Sequence, residues 1–141
     1  MADTPAFTLT DAPSAADLDV LQSFLMQANE ALAGPSGRRA LAIFVRDTDG
    51  TMRAGLSGFT GWGWLFIQWL WVAQESRGDG LGRRLITMAE DEARVRGCRG
   101  AHIDTFNPAA LELYQTMGYR PFGALEDFPV GWTRTWLSKP L

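Results

Sequence analysis

Between an almost wholly apolar run at residues 64–73 and an amphipathic segment at 80–96 stands Arg77-Gly78-Asp79-Gly80-Leu81-Gly82. A glycine-rich turn placed between a buried strand and a helix start lets backbone N–H groups converge on an anion with no side chain in the way. The helix macrodipole adds the equivalent of about half a positive charge there. Such a turn suits a pyrophosphate. Arg77, Arg83 and Arg84 surround it, and cations in the first turn of a helix oppose the dipole unless phosphate groups offset them. Gly78, Gly80 and Gly82 serve a tight strand-to-helix connection equally well. Two other phosphate loops do not fit. A Walker-type loop needs Lys-Ser or Lys-Thr after its last glycine, where Arg83-Arg84 stands. A dinucleotide fingerprint belongs on the first strand–helix unit, with an acidic residue about 20 positions on. Asp104 lies near that spacing, but three strands are expected before this unit.

The surrounding pattern reads as alternating elements. After an extended start at residues 7–10, Leu18, Leu21, Leu25 and Ala28 recur at helical spacing within residues 15–32, and the Gly34-Pro35-Ser36-Gly37 run stops that helix. Strands are expected at 40–45 and 52–59, joined through Asp49-Gly50 as a hairpin. The run at 64–73 reads as a mid-sheet strand covered on both faces. In the helix at 80–96, Leu81, Leu85, Ala89 and Ala93 form the apolar stripe, with Arg83, Arg84, Glu90, Asp91 and Arg94 off it. A strand at 101–106 follows, then a short helix opened by Asn107-Pro108 and stopped by Gly118, then strands at 119–125 and 132–137. The order β-α-β-β-β-α-β-α-β-β implies an α/β domain on a mixed sheet.

At 141 residues, 46% of them hydrophobic, the chain has the mass for one domain with a real core, read as residues 1–141. A net charge of −3 with no basic run shows neither a nucleic-acid footprint nor a polybasic membrane patch. Cys98 is the only cysteine, and no charged-then-apolar leader is seen over residues 1–16, so a cytoplasmic setting is expected. Cys98 reads as structural, and His102, the only histidine, makes no metal cluster with it, so no metal is expected.

The stretch Val72-Ala73-Gln74-Glu75-Ser76-Arg77-Gly78-Asp79-Gly80-Leu81-Gly82-Arg83-Arg84-Leu85 resembles the signature of the GNAT superfamily of N-acyltransferases: Gln or Arg, two residues, Gly, one residue, then Gly or Ala. A second motif in the right order, from Asn107-Pro108 through Leu113-Tyr114-Gln115-Thr116-Met117-Gly118-Tyr119, is similar to that family's helix ending in Leu-Tyr, three residues, Gly and an aromatic. His102-Ile103-Asp104-Thr105-Phe106 and the segment 122–131 resemble a bacterial subgroup of acetyltransferases.

The resemblance implies a GNAT-like domain with a twisted, mostly antiparallel sheet, splayed parallel central strands and helices on both faces. It implies acetyl-CoA in the cleft where strands 64–73 and 101–106 part, with pantetheine beside Trp71 and Val72 and the phosphates on Arg77, Gly78, Asp79, Gly80, Leu81, Gly82 and Arg83. An amine attacks the thioester directly, and Tyr114 matches the family's general acid. Asn107 caps its helix and stands where it touches the cofactor. Read without the motif, Tyr114 packs with Leu111 and Met117. Glu75 matches an acidic position before the loop and reads equally as a solvated carboxylate. Asp104, Glu126 and Asp127 are the other candidates for binding a cationic acceptor or relaying its proton.

Strict alternation places Trp69 and Trp71 on one face with Ile67, and Trp64, Phe66, Gln68 and Leu70 on the other. Either set serves a core, an acceptor pocket or an intersubunit face. The function expected is transfer of an acetyl group to a primary amine of a small molecule or peptide, with a homodimer possible in form. The alternatives are a non-catalytic CoA-binding module and a Trp-rich interaction module.

Overall fold

The computed structural model describes residues 3–141, so Met1 and Ala2, part of the segment read for a leader, lie outside it. The described residues through Ser36 form one compact unit and Gly37–Leu141 another. In the first, α1 spans Ala15–Ala33. Ser14 caps it, its Oγ accepting from the Asp17 N–H at 3.0 Å, and the Gly34 N–H closes its end on the Glu30 carbonyl at 2.8 Å. The helical spacing is as expected, yet no residue of α1 is buried. Residues 7–10 form no strand, and Phe7 and Leu9 are fully exposed.

The second unit runs β1 (Arg39–Arg46), β2 (Met52–Gly61), β3 (Trp64–Val72), a single 3-10 turn at Gln74–Ser76, α2 (Leu81–Val95), β4 (Gly100–Thr105), α3 (Pro108–Thr116), β5 (Arg120–Leu125) and β6 (Arg134–Pro140). The six strands lie in the order β1-β2-β3-β4-β6-β5. Every neighbouring pair is antiparallel except β3 with β4, so β3 sits mid-sheet beside the one parallel partner that its crossover helix permits.

One register change overturns the alternation expected for β3. Ser57 pairs with Trp69 but the next residue, Gly58, pairs with Ile67, so Gln68 is an extra residue, a β-bulge. Directly opposed residues share a face. Ala54, Leu56, Gly58 and Thr60 therefore put Val72, Leu70, Ile67 and Leu65 on the core side, and Trp64, Phe66, Trp69 and Trp71 all fall on the other. Trp69 does not share a face with Ile67, because a bulge shifts the phase of everything beyond it. Nor is β3 covered on both sides: Trp64, Trp69 and Trp71 are 38%, 68% and 51% exposed. Gly58 fits the bulge because it lacks a side chain, since a Cβ there would stand 1.9 Å from the Phe66 carbonyl oxygen.

On the core side, Leu85, Ile86, Ala89 and Ala93 of α2 pack into one cluster with Leu56, Leu65, Ile67, Ala101, Ile103 and Leu137. Each large aliphatic buried this way contributes about 2 kcal/mol. Tyr114 of α3 and Tyr119 join the same cluster, and Arg83 Nη2 donates to Thr116 Oγ1 at 3.1 Å, so α2 and α3 lie side by side on this face. Cys98 is buried in the cluster as a free thiol, and burial raises its pKa. Glu90, expected off the apolar stripe, is 3% exposed. Its carboxylate accepts from Tyr119 Oη at 2.8 Å and from Lys139 Nζ at 3.0 Å on each oxygen, which lets the charge sit inside the core.

Candidate active site

The pairing of β3 with β4 covers only Trp64–Gly100, Leu65–Ala101 and Phe66–His102, after which the strands part. From Ile67 to Val72, the β3 edge facing β4 has no strand partner. Into this gap opens a cavity of about 600 Å³. Of the residues expected at a cofactor site, Trp71, Val72, Arg77, Gly78, Gly80, Leu81, Gly82, Arg83, Asn107 and Tyr114 line it, and sequence reading missed Leu70, Ser76, Ala109, Ala110 and Leu113. Asp79 lies in the loop but not on the wall.

Local chemistry builds each wall. Gly80 is the N-cap of α2 at φ 78°, a left-handed conformation open to glycine, and no side chain accepts from the first turn. The orphan N–H groups of that turn therefore remain available to an anion. Arg77 Nε donates to the Val72 carbonyl at 3.0 Å, tying the loop to the end of β3. A Cβ on Gly82 would meet Leu113 at 3.4 Å and Val72 at 3.9 Å, so a larger residue there would fill the space between α2, α3 and β3. On the far wall, Asn107 Oδ1 accepts from the Ala109 and Ala110 N–H groups at 2.9 and 3.4 Å, starting α3 so that Tyr114 reaches the cavity two turns on. The mixture of free backbone N–H groups, a bare strand edge and an apolar middle fits a pyrophosphate followed by a pantetheine arm.

Tyr114 is 5% exposed, and burial, with the nearby Asp104 carboxylate adding to it, pushes its phenol up to about 12. Tyr114 thus both joins the core and borders the cavity, and it stays protonated at neutral pH.

The acidic candidates fall apart in space. Glu75 is a loop carboxylate, its side chain 69% exposed and 4.0 Å from Arg53 Nη1. Asp104 does not line the cavity; it lies on β4 beyond the last β3 pair and is bonded by Arg134 Nη1 at 3.0 Å. His102 stacks on Phe66, centroids 4.7 Å apart, and burial lowers its pKa while Asp104 opposes that. Asp127 Oδ1 accepts from the Gly131 N–H at 3.2 Å, bracing the loop between β5 and β6. Arg134 escaped sequence reading. The only signal was its place among Phe128, Trp132 and Trp136, an unusual neighbourhood for a cation on an inner strand.

The uncapped start of α2 and Tyr114 lie on one cavity that suits an anionic ligand with an apolar arm, and the relatives of this chain bind such ligands as a family. The signature of the acetyltransferase (GNAT) family matches residues 10–119. The chain belongs to the GNAT acetyltransferase family. It is 41% identical over 94% of its length to acetyltransferase Atu2258 of Agrobacterium fabrum, covering 97% of that protein. It is 42% identical to the blasticidin-S acetyltransferase of Streptomyces morookaense over 65% of this chain and 68% of that one. The crystal structure of an Agrobacterium tumefaciens protein described as an acetyltransferase superposes with a TM-score of 0.91 at 40% identity, covering 97% of this chain and all of the other.

Proposed function

We propose that this chain transfers an acetyl group directly from acetyl-CoA to a primary amine, with residues 1–141 working as one N-acetyltransferase domain. The observation that carries the reading is that the uncapped first turn of α2 and the Tyr114 side chain border the same cavity. When bound, acetyl-CoA supplies a thioester carbon open to attack by the amine.

The protein supplies placement and protons. N–H groups at Gly80 to Gly82 and the side chains of Arg77 and Arg83 hold the phosphates, and the unpaired edge of β3 near Trp71 aligns the pantetheine arm. A backbone N–H at that edge polarises the thioester carbonyl. Tyr114 gives its proton to the departing thiolate. Its phenol, at about 12, is less well matched to a thiol than an ordinary phenol near 10, a consequence of its burial. Asp104 and Glu75 are the candidates for receiving the amine's proton, Asp104 being the one whose charge acts on Tyr114.

The blasticidin-S acetyltransferase among the relatives favours a small-molecule acceptor over a peptide. A cytoplasmic setting suits the single buried thiol of Cys98. The exposure of Trp69 and Trp71 favours a second reading, in which the outer sheet face binds a partner, a second copy included. A free-thiol assay with acetyl-CoA and a panel of primary amines separates the two. Transfer is expected with wild type and is reduced about 100-fold or more in kcat by Tyr114→Phe; no thiol release with any amine would leave the binding reading.

A further inference from the structure

On the β4–β6–β5 side of the gap lies an arrangement that the cofactor reading does not use. Arg134 is the first residue of β6, its side chain 23% exposed, and Nη1 donates to Asp104 Oδ1 at 3.0 Å. Its guanidinium carbon stands 4.4 Å from the Phe128 ring centre and 5.1 Å from that of Phe106. Trp136 meets Phe128 edge-on at 6.4 Å and Trp132 meets Phe106 edge-on at 6.2 Å. The cage is braced by its own loop, since the Phe128 N–H donates to the Trp132 carbonyl at 3.0 Å and the Trp132 N–H to the Pro129 carbonyl at 2.9 Å.

Within this cage one edge of the guanidinium is idle. Nε is buried with no hydrogen-bond partner, and it is the one such side-chain atom among the described residues. Nη2 beside it makes no hydrogen bond either and is not buried, so the edge is open at one end. A buried unpaired donor is rare in folded proteins and destabilising unless a partner arrives. The Nε–Nη2 edge is the planar fork that grips a carboxylate through two parallel bonds. Asp104, held by the opposite side of the same guanidinium, still offers Oδ2 to a cation.

We propose that this pair reads the acceptor as an aromatic α-amino acid. Its carboxylate lies on the Nε–Nη2 edge of Arg134, its ammonium faces Asp104, and its planar side chain rests among Phe106, Phe128 and Trp132, which are 40%, 46% and 49% exposed. The inference rests on the proposed function for its location: Asp104 is two residues past the last β3–β4 pair, so an amine beside it faces the gap onto which the cofactor cavity opens. It also narrows that proposal, because an internal residue of a peptide carries no free carboxylate next to its amine.

The test is calorimetric titration of L-tryptophan and tryptamine, and of L-phenylalanine and phenethylamine, into the protein saturated with CoA. Each amino acid is expected to bind about tenfold or more tighter than its decarboxylated partner, the difference a charge-assisted bond to carboxylate provides. Arg134→Gln is expected to abolish that difference while leaving the amines bound no more weakly, and Arg134→Lys, which keeps charge without the fork, to restore only part of it. Equal or tighter binding of the amines to wild type, binding of neither series, or an equal weakening of both by Arg134→Gln would each overturn the proposal. Binding with the expected difference but no thiol release from acetyl-CoA would uphold this site and refute the transfer reaction instead.

Discussion

Tyr114 is where burial and the proposed chemistry pull on one atom. The phenol is taken out of water on the core side and faces the cavity on the other, and its pKa rises from 10 to about 12. The folded state therefore binds this proton more tightly than the unfolded chain. Its contribution to stability is fully present below pH 10 and is lost as pH rises through about 12, a difference of about 2–3 kcal/mol. Tyr119, raised further by burial and by Glu90, acts with the same sign. Denaturant titrations at stepped alkaline pH are expected to show Tyr114→Phe losing less stability than wild type between pH 10 and 12. Parallel curves would place the phenol in water. At this scale the sequence carried part of the candidate site: Tyr114 and Asn107, both on the cavity wall, are legible because each stands at a fixed offset in a local motif. Arg134 is not, because its meaning comes from Asp104 across a β4–β6 pairing and from Phe128 across a loop, and neither contact leaves a mark in local spacing.

Elements add what single residues do not. The amphipathic period of α2 and the Asp-Gly hairpin between β1 and β2 were readable because each is a local preference repeated over one segment. The phase of β3 was not, since period-two reading assumes an unbroken register and the extra residue Gln68 breaks it. The bulge makes its own demand on the neighbouring strand. Gly58→Ala is expected to cost about 3 kcal/mol in denaturant unfolding, because the clash at 1.9 Å is with a backbone carbonyl that has nowhere to move. Ala at the exposed Gly123, where a Cβ meets nothing, is the matched control. The docking of α2 on β6 offers a second check. Glu90→Ala leaves the buried Tyr119 hydroxyl and the half-buried Lys139 ammonium without their partner and is expected to destabilise by about 3 kcal/mol. Asp91→Ala, one residue on, loses only an exposed pair with Arg94 and is expected to change stability by less than about 0.5 kcal/mol. Equal losses at positions 90 and 91 would show the buried network to be inert.

In the molecule as a whole, the sheet order and the single parallel pair turn these parts into a site. Because β3 and β4 pair over three residues and then separate, a bare strand edge, the start of α2 and the wall of α3 come to face one cavity. The order of elements from β1 onward was legible because each turn and cap announces itself in sequence; the strand expected at residues 7–10 failed because an apolar alternation without a ladder partner is only extended chain. Binding of acetyl-CoA in this cavity is read out by thermal unfolding with and without the ligand. At 100 times its dissociation constant the ligand is expected to stabilise the fold by about 2.7 kcal/mol. Gly82→Phe, which fills the space between Leu113 and Val72, is expected to abolish that shift. A wild-type protein whose unfolding temperature is unmoved by millimolar acetyl-CoA, or a shift that survives in Gly82→Phe, would show that this cavity is not the acetyl-CoA site.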